Sequence, residues 1–82
     1  ACGAAGEYLG DAIRQKADCF LTGEMRFHDY LYAQASNVGL ILPGHYSTER
    51  FAMEELATRL GQTFPLLTVE ASRSEEDPVK WC

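Results

Sequence analysis

The chain has 82 residues, which is enough for one small domain. Its apolar fraction of 46% and charged fraction of 23% are typical of a globular domain. The net charge of −5 argues against a nucleic-acid phosphate backbone as the main partner. Since no apolar run reaches the roughly 18–20 residues of a membrane span, no membrane partner is expected.

The three cysteines are Cys2, Cys19 and Cys82. No two of them are close enough in sequence for a zinc knuckle or a redox pair. Their odd number and wide spacing predict reduced thiols and therefore a cytoplasmic protein. Cys19 falls within an apolar run, which predicts a place in the core.

A glycine-rich turn, CGAAG at residues 2–6, leads into a helical pattern over residues 7–17. Such a turn normally follows a strand, and the sequence has no initiator methionine. Both features predict that the chain is a piece of a longer protein. The backbone N–H groups of the turn could hold a phosphate or carboxylate, or the glycines could serve only a tight turn.

Short apolar strands then alternate with helices. The predicted strands are CFLT, VGLIL and FPLLTVEAS, at residues 19–22, 38–42 and 64–72. The predicted helices are HDYLYAQAS at residues 28–36 and TERFAMEELATRLG at residues 48–61, with Gly61 as a C-cap. Trp81, in the tail, is predicted to dock on the sheet or at a subunit contact.

The resulting order, (β)αβαβαβ, predicts an α/β fold with a small, mostly parallel sheet and flanking helices. Ligands of such sheets gather at the carboxyl ends of the strands. Three loops follow strand ends: CGAAG, TGEMRFH and PGHYSTE. Because they contain both histidines of the chain and the acids Glu24 and Glu49, the sequence predicts a site at this edge.

Two acid–imidazole pairs stand out in these loops. His45 and Glu49 are four residues apart, so both can project from one helix face as ligands of Zn, Mn or Fe. The alternative is a loop histidine followed by an acid that favours the positive end of the helix dipole. Glu24 and His28 repeat the spacing, with an N-terminal acid and a solvent-facing histidine as the alternative.

Three stretches together resemble the Nif-three-like family: ADCFLTGEMRFHDYLYA, GLILPGHYSTERFAMEELATRL and DPVKW. Members of that family are also called GTP cyclohydrolase type-two homologues or dinuclear metal-binding proteins. The resemblance runs from Gly3 to Trp81, and G-H-x-x-[ST]-E is its most specific element. It implies that residues 1–82 are a single domain, the C-terminal lobe of a larger two-lobed α/β protein whose N-terminal lobe is absent.

The resemblance also implies roles for the candidate residues. Two divalent metal ions per full-length subunit, Zn, Mn or Fe, would lie in a cleft, with His45 and Glu49 as ligands from this lobe. Glu24 and His28 would lie next to the ligands or on the substrate side, where they could move protons. Because a His-His pair and an Asp from the other lobe are missing, this chain alone is expected to bind metal weakly or not at all.

The function implied is that of a metal-dependent hydrolase acting on a nucleotide or phosphoester-type small molecule. The full-length protein would be a homo-oligomer, often a hexamer in this family. No residue of the sequence reads a purine, so the GTP cyclohydrolase name implies little about substrate. The alternatives are a non-catalytic metal-binding or protein-interaction module, such as a transcription cofactor or metal-handling protein, and a purely structural domain.

Overall fold

The computed structural model describes residues 1–80 and divides the chain into two compact units, Ala1–Thr48 and Glu49–Cys82. The elements are a 3-10 helix at Gly6–Tyr8, then α1 (Leu9–Arg14), β1 (Cys19–Leu21), α2 (Phe27–Ala35), β2 (Gly39–Ile41), α3 (His45–Glu49) and α4 (Phe51–Thr63). The predicted α/β fold, with a parallel sheet and flanking helices, is confirmed. Trp81 lies outside the described residues, and so does the prediction that it docks on the sheet or at a subunit contact.

The sheet of the first unit consists of β1 and β2, which pair in parallel with Phe20 opposite Leu40 and Leu21 opposite Ile41. Helix α2 forms the crossover between the two strands, as parallel pairing requires. Since side chains alternate along a strand, the two faces of this sheet differ. Phe20 and Leu40 pack against the core, whereas Leu21 and Ile41 are exposed.

The core of the first unit is small and apolar. Its buried centre is Leu9 from α1, Ala33 from α2 and Val38, which precedes β2. Four half-buried side chains pack around this centre: Ile13, Phe20, Met25 and Leu40. The core therefore holds both helices against one sheet face and fixes the carboxyl ends of the two strands.

Local signals in the sequence account for the ends of α2. The Asp29 carboxylate accepts a hydrogen bond from the Arg26 backbone N–H at 3.3 Å, which satisfies a donor at the start of the helix. Asn37 has φ 55°, a left-handed conformation that asparagine tolerates better than most residues. It turns the chain directly into β2.

The prediction of a strand at residues 64–72 is wrong, and so is the full (β)αβαβαβ order. This segment forms turns and irregular structure, and Leu66 is 98% exposed. A strand needs a neighbour to satisfy its backbone groups, and the described residues supply none beside this segment. An apolar run in the sequence is therefore not sufficient to predict a strand.

Two further predictions need correction. Gly61 is not a C-cap, because α4 continues to Thr63 and Phe64 N–H still donates to Leu60 C=O at 2.8 Å. The helix ends before Pro65, whose ring disfavours helical angles in the preceding residue. Cys19 is exposed rather than in the core, because it precedes the core-facing Phe20 and so lies on the opposite sheet face. No helix among residues 1–80 combines the length and apolarity needed to cross a membrane.

Candidate functional site

Three loops converge at the carboxyl ends of β1 and β2, and the buried side chain of Thr22 joins two of them. Its hydroxyl donates to Gly3 C=O at 3.0 Å and accepts from Ala5 N–H at 3.2 Å. The Thr22 backbone N–H donates to Ile41 C=O at 3.1 Å, which continues the sheet by one residue. Thr22 thus ties the glycine-rich turn to the end of β1.

Gly23 is the point of closest approach among the loops. Its C=O accepts from Gly44 N–H at 3.0 Å. A Cβ atom at this position would lie 2.6 Å from Gly3 O and 2.6 Å from Thr48 Oγ1, distances that real Cβ atoms do not adopt. Only glycine fits here, because backbone atoms on both sides leave no room for a side chain.

Thr48 fixes the segment that carries His45. Its Oγ1 accepts from Gly3 N–H at 3.0 Å and can donate to Gly44 C=O at 3.0 Å or to His45 C=O at 2.9 Å. The bond from Gly3 joins the first loop to the third, and the bonds to Gly44 and His45 lie within the third loop. The threonine of the GHYST sequence therefore holds the start of α3 in position.

The central contact of the site joins Glu24 to His45. Glu24 Oε1 lies 2.7 Å from His45 Nδ1, and the two side chains are 58% and 45% exposed. Glu24 N–H donates to Gly3 C=O at 3.1 Å, which anchors the backbone of the acid. The sequence predicted that these loops meet, but it grouped each residue with an acid or imidazole four positions away.

The other members of the predicted pairs lie as follows. Glu49 is exposed and ends α3, one helical turn after His45. His28 Nε2 lies 3.4 Å from Asp29 Oδ1 rather than against Glu24. His28 and Glu24 do share the lining of one cavity.

This cavity has a volume of about 420 Å³, within the range of roughly 300–1,000 Å³ found for small-molecule sites. Its walls come from the first two loops and the start of α2. The lining residues are Ala4, Gly6, Glu7, Glu24, Met25, Arg26, His28 and Asp29. Acidic, basic and imidazole groups thus surround a space next to the Glu24–His45 contact.

Two backbone N–H groups of the glycine-rich turn are already bonded within the protein. Gly3 N–H donates to Thr48, and Ala5 N–H donates to Thr22. Gly3 has φ 65°, the left-handed conformation that favours glycine. Of the two interpretations of this turn, the structure supports the tight turn.

The candidate site contains the kinds of side chain that bind divalent cations. An imidazole and a carboxylate are common ligands of Zn, Mn and Fe, and metal-binding histidines donate their other ring N–H to a carboxylate, a backbone carbonyl or a water. Glu24 is such a carboxylate for His45. Within residues 1–80, no group of three or more His, Cys, Asp and Glu side chains is arranged to hold a metal ion. A complete coordination shell would need ligands from elsewhere.

Known proteins resemble this chain in both sequence and structure. The mouse NIF3-like protein 1 is 38% identical over 66 residues, which cover 79% of this chain and 18% of that protein. A GTP cyclohydrolase 1 type 2 homolog from Staphylococcus aureus (strain Mu50) is 38% identical over 78 residues, 90% of this chain and 21% of that protein. The chain therefore spans about a fifth of the length of these curated relatives.

Solved structures show the same fold over nearly the whole chain. The Staphylococcus aureus protein SA1388 superposes with a TM-score of 0.82 at 35% identity, covering 99% of this chain and 27% of that one. The Bacillus cereus protein related to NIF3 gives a TM-score of 0.85 at 25% identity, covering 98% and 23%. A family model described as Duf34/NIF3 (NGG1p interacting factor 3) matches residues 1–78. The chain belongs to the Duf34/NIF3 family.

Proposed function

We propose that the whole protein is a dinuclear metal-dependent hydrolase, to which this chain contributes His45 and Glu49 as metal ligands. The observation that carries the proposal is the 2.7 Å contact between His45 Nδ1 and the Glu24 carboxylate. Carboxylates in this relation to an imidazole are typical of metal-binding histidines. Membership of the Duf34/NIF3 family adds support, since the G-H-x-x-[ST]-E element falls within the matched residues.

A pair of divalent cations supplies Lewis acidity and lowers the pKa of a coordinated water. The chain's own residues have other tasks. Glu24 restrains the His45 ring, and Thr48 restrains the backbone that bears it. His28, in the cavity and beside Asp29, is the candidate to accept or return a proton, because imidazole is the commonest general acid or base.

The substrate class we propose is a nucleotide or another small phosphoester. The cavity of about 420 Å³ has room for a molecule of that class. Arg26 contributes a guanidinium to its wall, a group that suits phosphate oxygens. Several relatives are named GTP cyclohydrolase 1 type 2 homolog, and that name also refers to a nucleotide.

Metal analysis of the full-length protein tests the ligand assignment. We expect His45→Ala and Glu49→Ala each to lower the bound divalent metal substantially, because each removes a ligand that no neighbour replaces. Glu70→Ala is the matched control, since it removes an exposed carboxylate that is not among the proposed ligands. Metal content that stays unchanged in both ligand variants would contradict the assignment.

A turnover screen then tests the reaction. Nucleotides and phosphomonoesters are incubated with metal-loaded and chelator-treated full-length protein, and with His28→Ala. Hydrolysis that requires metal and falls in His28→Ala supports the hydrolase. Bound metal without any metal-dependent turnover would instead favour a non-catalytic metal-binding module.

A further inference from the structure

The cavity of about 420 Å³ contains two oppositely charged side chains that are not paired with other charges. Within residues 1–80, the Arg26 guanidinium forms no ion pair, and the Glu7 carboxylate has neither an ion pair nor a hydrogen bond. Three other arginines of the chain do pair with carboxylates: Arg14, Arg50 and Arg59. The charge of Arg26 is therefore open to a ligand, although three carboxylates line the same cavity.

Two of these three carboxylates already have partners within the protein. Glu24 Oε1 lies 2.7 Å from His45 Nδ1. Asp29 Oδ2 accepts a hydrogen bond from the Arg26 backbone N–H at 3.3 Å, and the Asp29 side chain is only 18% exposed. The carboxylate left to accept hydrogen bonds from a molecule in the cavity is therefore that of Glu7, which is exposed.

The fold fixes the distance between the backbones that carry these two charges. Glu7 belongs to the 3-10 helix of the first loop, and Arg26 directly precedes α2. These two segments pack together at Gly6, where an added Cβ would lie 2.5 Å from Asp29 Oδ2. Because Asp29 also bonds the Arg26 backbone, one contact holds both segments. Glu7 and Arg26 thus face one cavity from two fixed elements without forming an ion pair with each other.

We propose that Arg26 and Glu7 form a two-point subsite for a phosphorylated polyol, such as the ribose phosphate part of a nucleotide. The Arg26 guanidinium binds the phosphoryl group through paired hydrogen bonds. The Glu7 carboxylate accepts hydrogen bonds from hydroxyl groups of the same molecule, since an ionised carboxylate can only accept. The three carboxylates repel the phosphoryl group, so it can lie only beside Arg26, and this fixes the direction of the ligand. The choice of ligand rests on the proposed function, which the subsite makes more specific.

Calorimetric titration of the full-length protein with three small molecules tests the subsite. Ribose 5-phosphate has both groups, methyl phosphate has only the phosphoryl group, and ribose has only the hydroxyl groups. The protein is treated with chelator, so that neither bound metal nor turnover contributes to the measured affinity. We expect ribose 5-phosphate to bind more tightly than either of the other two. Affinity for ribose 5-phosphate no higher than for methyl phosphate, or no binding at all, would overturn the proposal.

Two variants assign each group of the ligand to its residue. Arg26→Met should weaken the binding of both phosphates about tenfold, because it removes charged hydrogen bonds. Glu7→Ala should weaken ribose 5-phosphate about tenfold and should not weaken methyl phosphate, which has no hydroxyl group for Glu7 to bind. Arg14→Met is the matched control, since Arg14 pairs with Asp11 and does not line the cavity. Unchanged affinity for ribose 5-phosphate in Arg26→Met, or in Glu7→Ala, would contradict the assignment.

Turnover by the metal-loaded protein separates the subsite from the hydrolase. If both variants weakened ribose 5-phosphate binding but no phosphoester were hydrolysed, the subsite would stand and the hydrolase proposal would fail. If ribose 5-phosphate were hydrolysed with the same KM by the wild type, Arg26→Met and Glu7→Ala, the subsite would be overturned and the hydrolase would stand. We expect KM for ribose 5-phosphate to rise in both variants and to stay unchanged in Arg14→Met.

Discussion

At the scale of single residues, the site depends on positions that carry no catalytic group. Gly23 has no side chain, yet three loops pack around it. Thr22 and Thr48 have ordinary hydroxyls, but each bonds to the backbone of the first loop. These contacts fix where Glu24 and His45 emerge, so the geometry of the functional groups is set by their small neighbours.

The substitution Gly23→Ala tests this dependence. The new Cβ would approach Gly3 O and Thr48 Oγ1, and the carbonyl cannot move without breaking the loop contacts. We expect a loss of stability of about 1–3 kcal/mol, as for overpacking in a close-packed interior. Urea denaturation followed by circular dichroism measures it.

The matched control is Gly61→Ala, because a Cβ there meets nothing within 4 Å and the position lies inside α4. Removing a glycine from a helix interior should stabilise the protein by about 0.5–1 kcal/mol. If both substitutions had the same effect, the close approach at Gly23 would not be what constrains the site.

At the scale of elements, Arg50 links α4 to the segment that follows it. Arg50 precedes the helix; its Nη2 lies 3.1 Å from Glu54 Oε1, and its Nε lies 2.7 Å from Glu75 Oε1. Its guanidinium also donates to Ser72 C=O. Side-chain contacts thus secure this part of the chain to the helix in the absence of strand pairing.

The pKa of Glu75 reports on this link. It is lowered chiefly by a hydrogen bond from the Ser72 side chain, then by one from its own backbone N–H, and also by the charge of Arg50. A lowered carboxyl pKa favours the folded state at neutral pH, and this contribution is lost as the pH falls through the lowered pKa. An NMR titration of the Glu75 carboxyl should therefore give a midpoint below the ordinary value.

Variants identify the cause of that shift. Ser72→Ala and Arg50→Met should each raise the Glu75 midpoint, because each removes a group that favours the carboxylate. Lys80→Met is the control, since Lys80 pairs with Glu76 at 2.8 Å. If the Glu75 titration midpoint were the same in the wild type, Ser72→Ala and Arg50→Met, the proposed contacts of Glu75 with Ser72 and Arg50 would be contradicted.

At the scale of the whole molecule, apolar periodicity and the positions of the strand ends were enough to predict the α/β fold and the edge of the sheet where the candidate residues lie. The convergence of the loops followed from parallel pairing, which the β1–β2 register confirms. The Glu24–His45 contact was missed because it joins residues 21 positions apart, whereas the sequence analysis compared residues one helical turn apart. The failed strand at residues 64–72 has the same origin, since its formation depends on a partner rather than on its own composition.

One face of the two-stranded sheet exposes apolar side chains. Leu21 is 47% exposed and Ile41 is 51% exposed on the sheet face away from the core. Parallel sheets in larger proteins are usually covered on both faces. The chain matches only 18% and 21% of the length of two curated relatives, so about four-fifths of each relative has no counterpart in these 82 residues.

The central claim is that Glu24 and His45 form part of a metal site, and one measurement tests it most directly. Anomalous diffraction from crystals of the zinc-loaded full-length protein would locate the metal. We predict zinc about 2.0–2.1 Å from a ring nitrogen of His45, with the Glu49 carboxylate as a second ligand and the Glu24 carboxylate still in contact with the His45 ring. Zinc bound elsewhere, with neither His45 nor Glu49 among its ligands, would contradict the account.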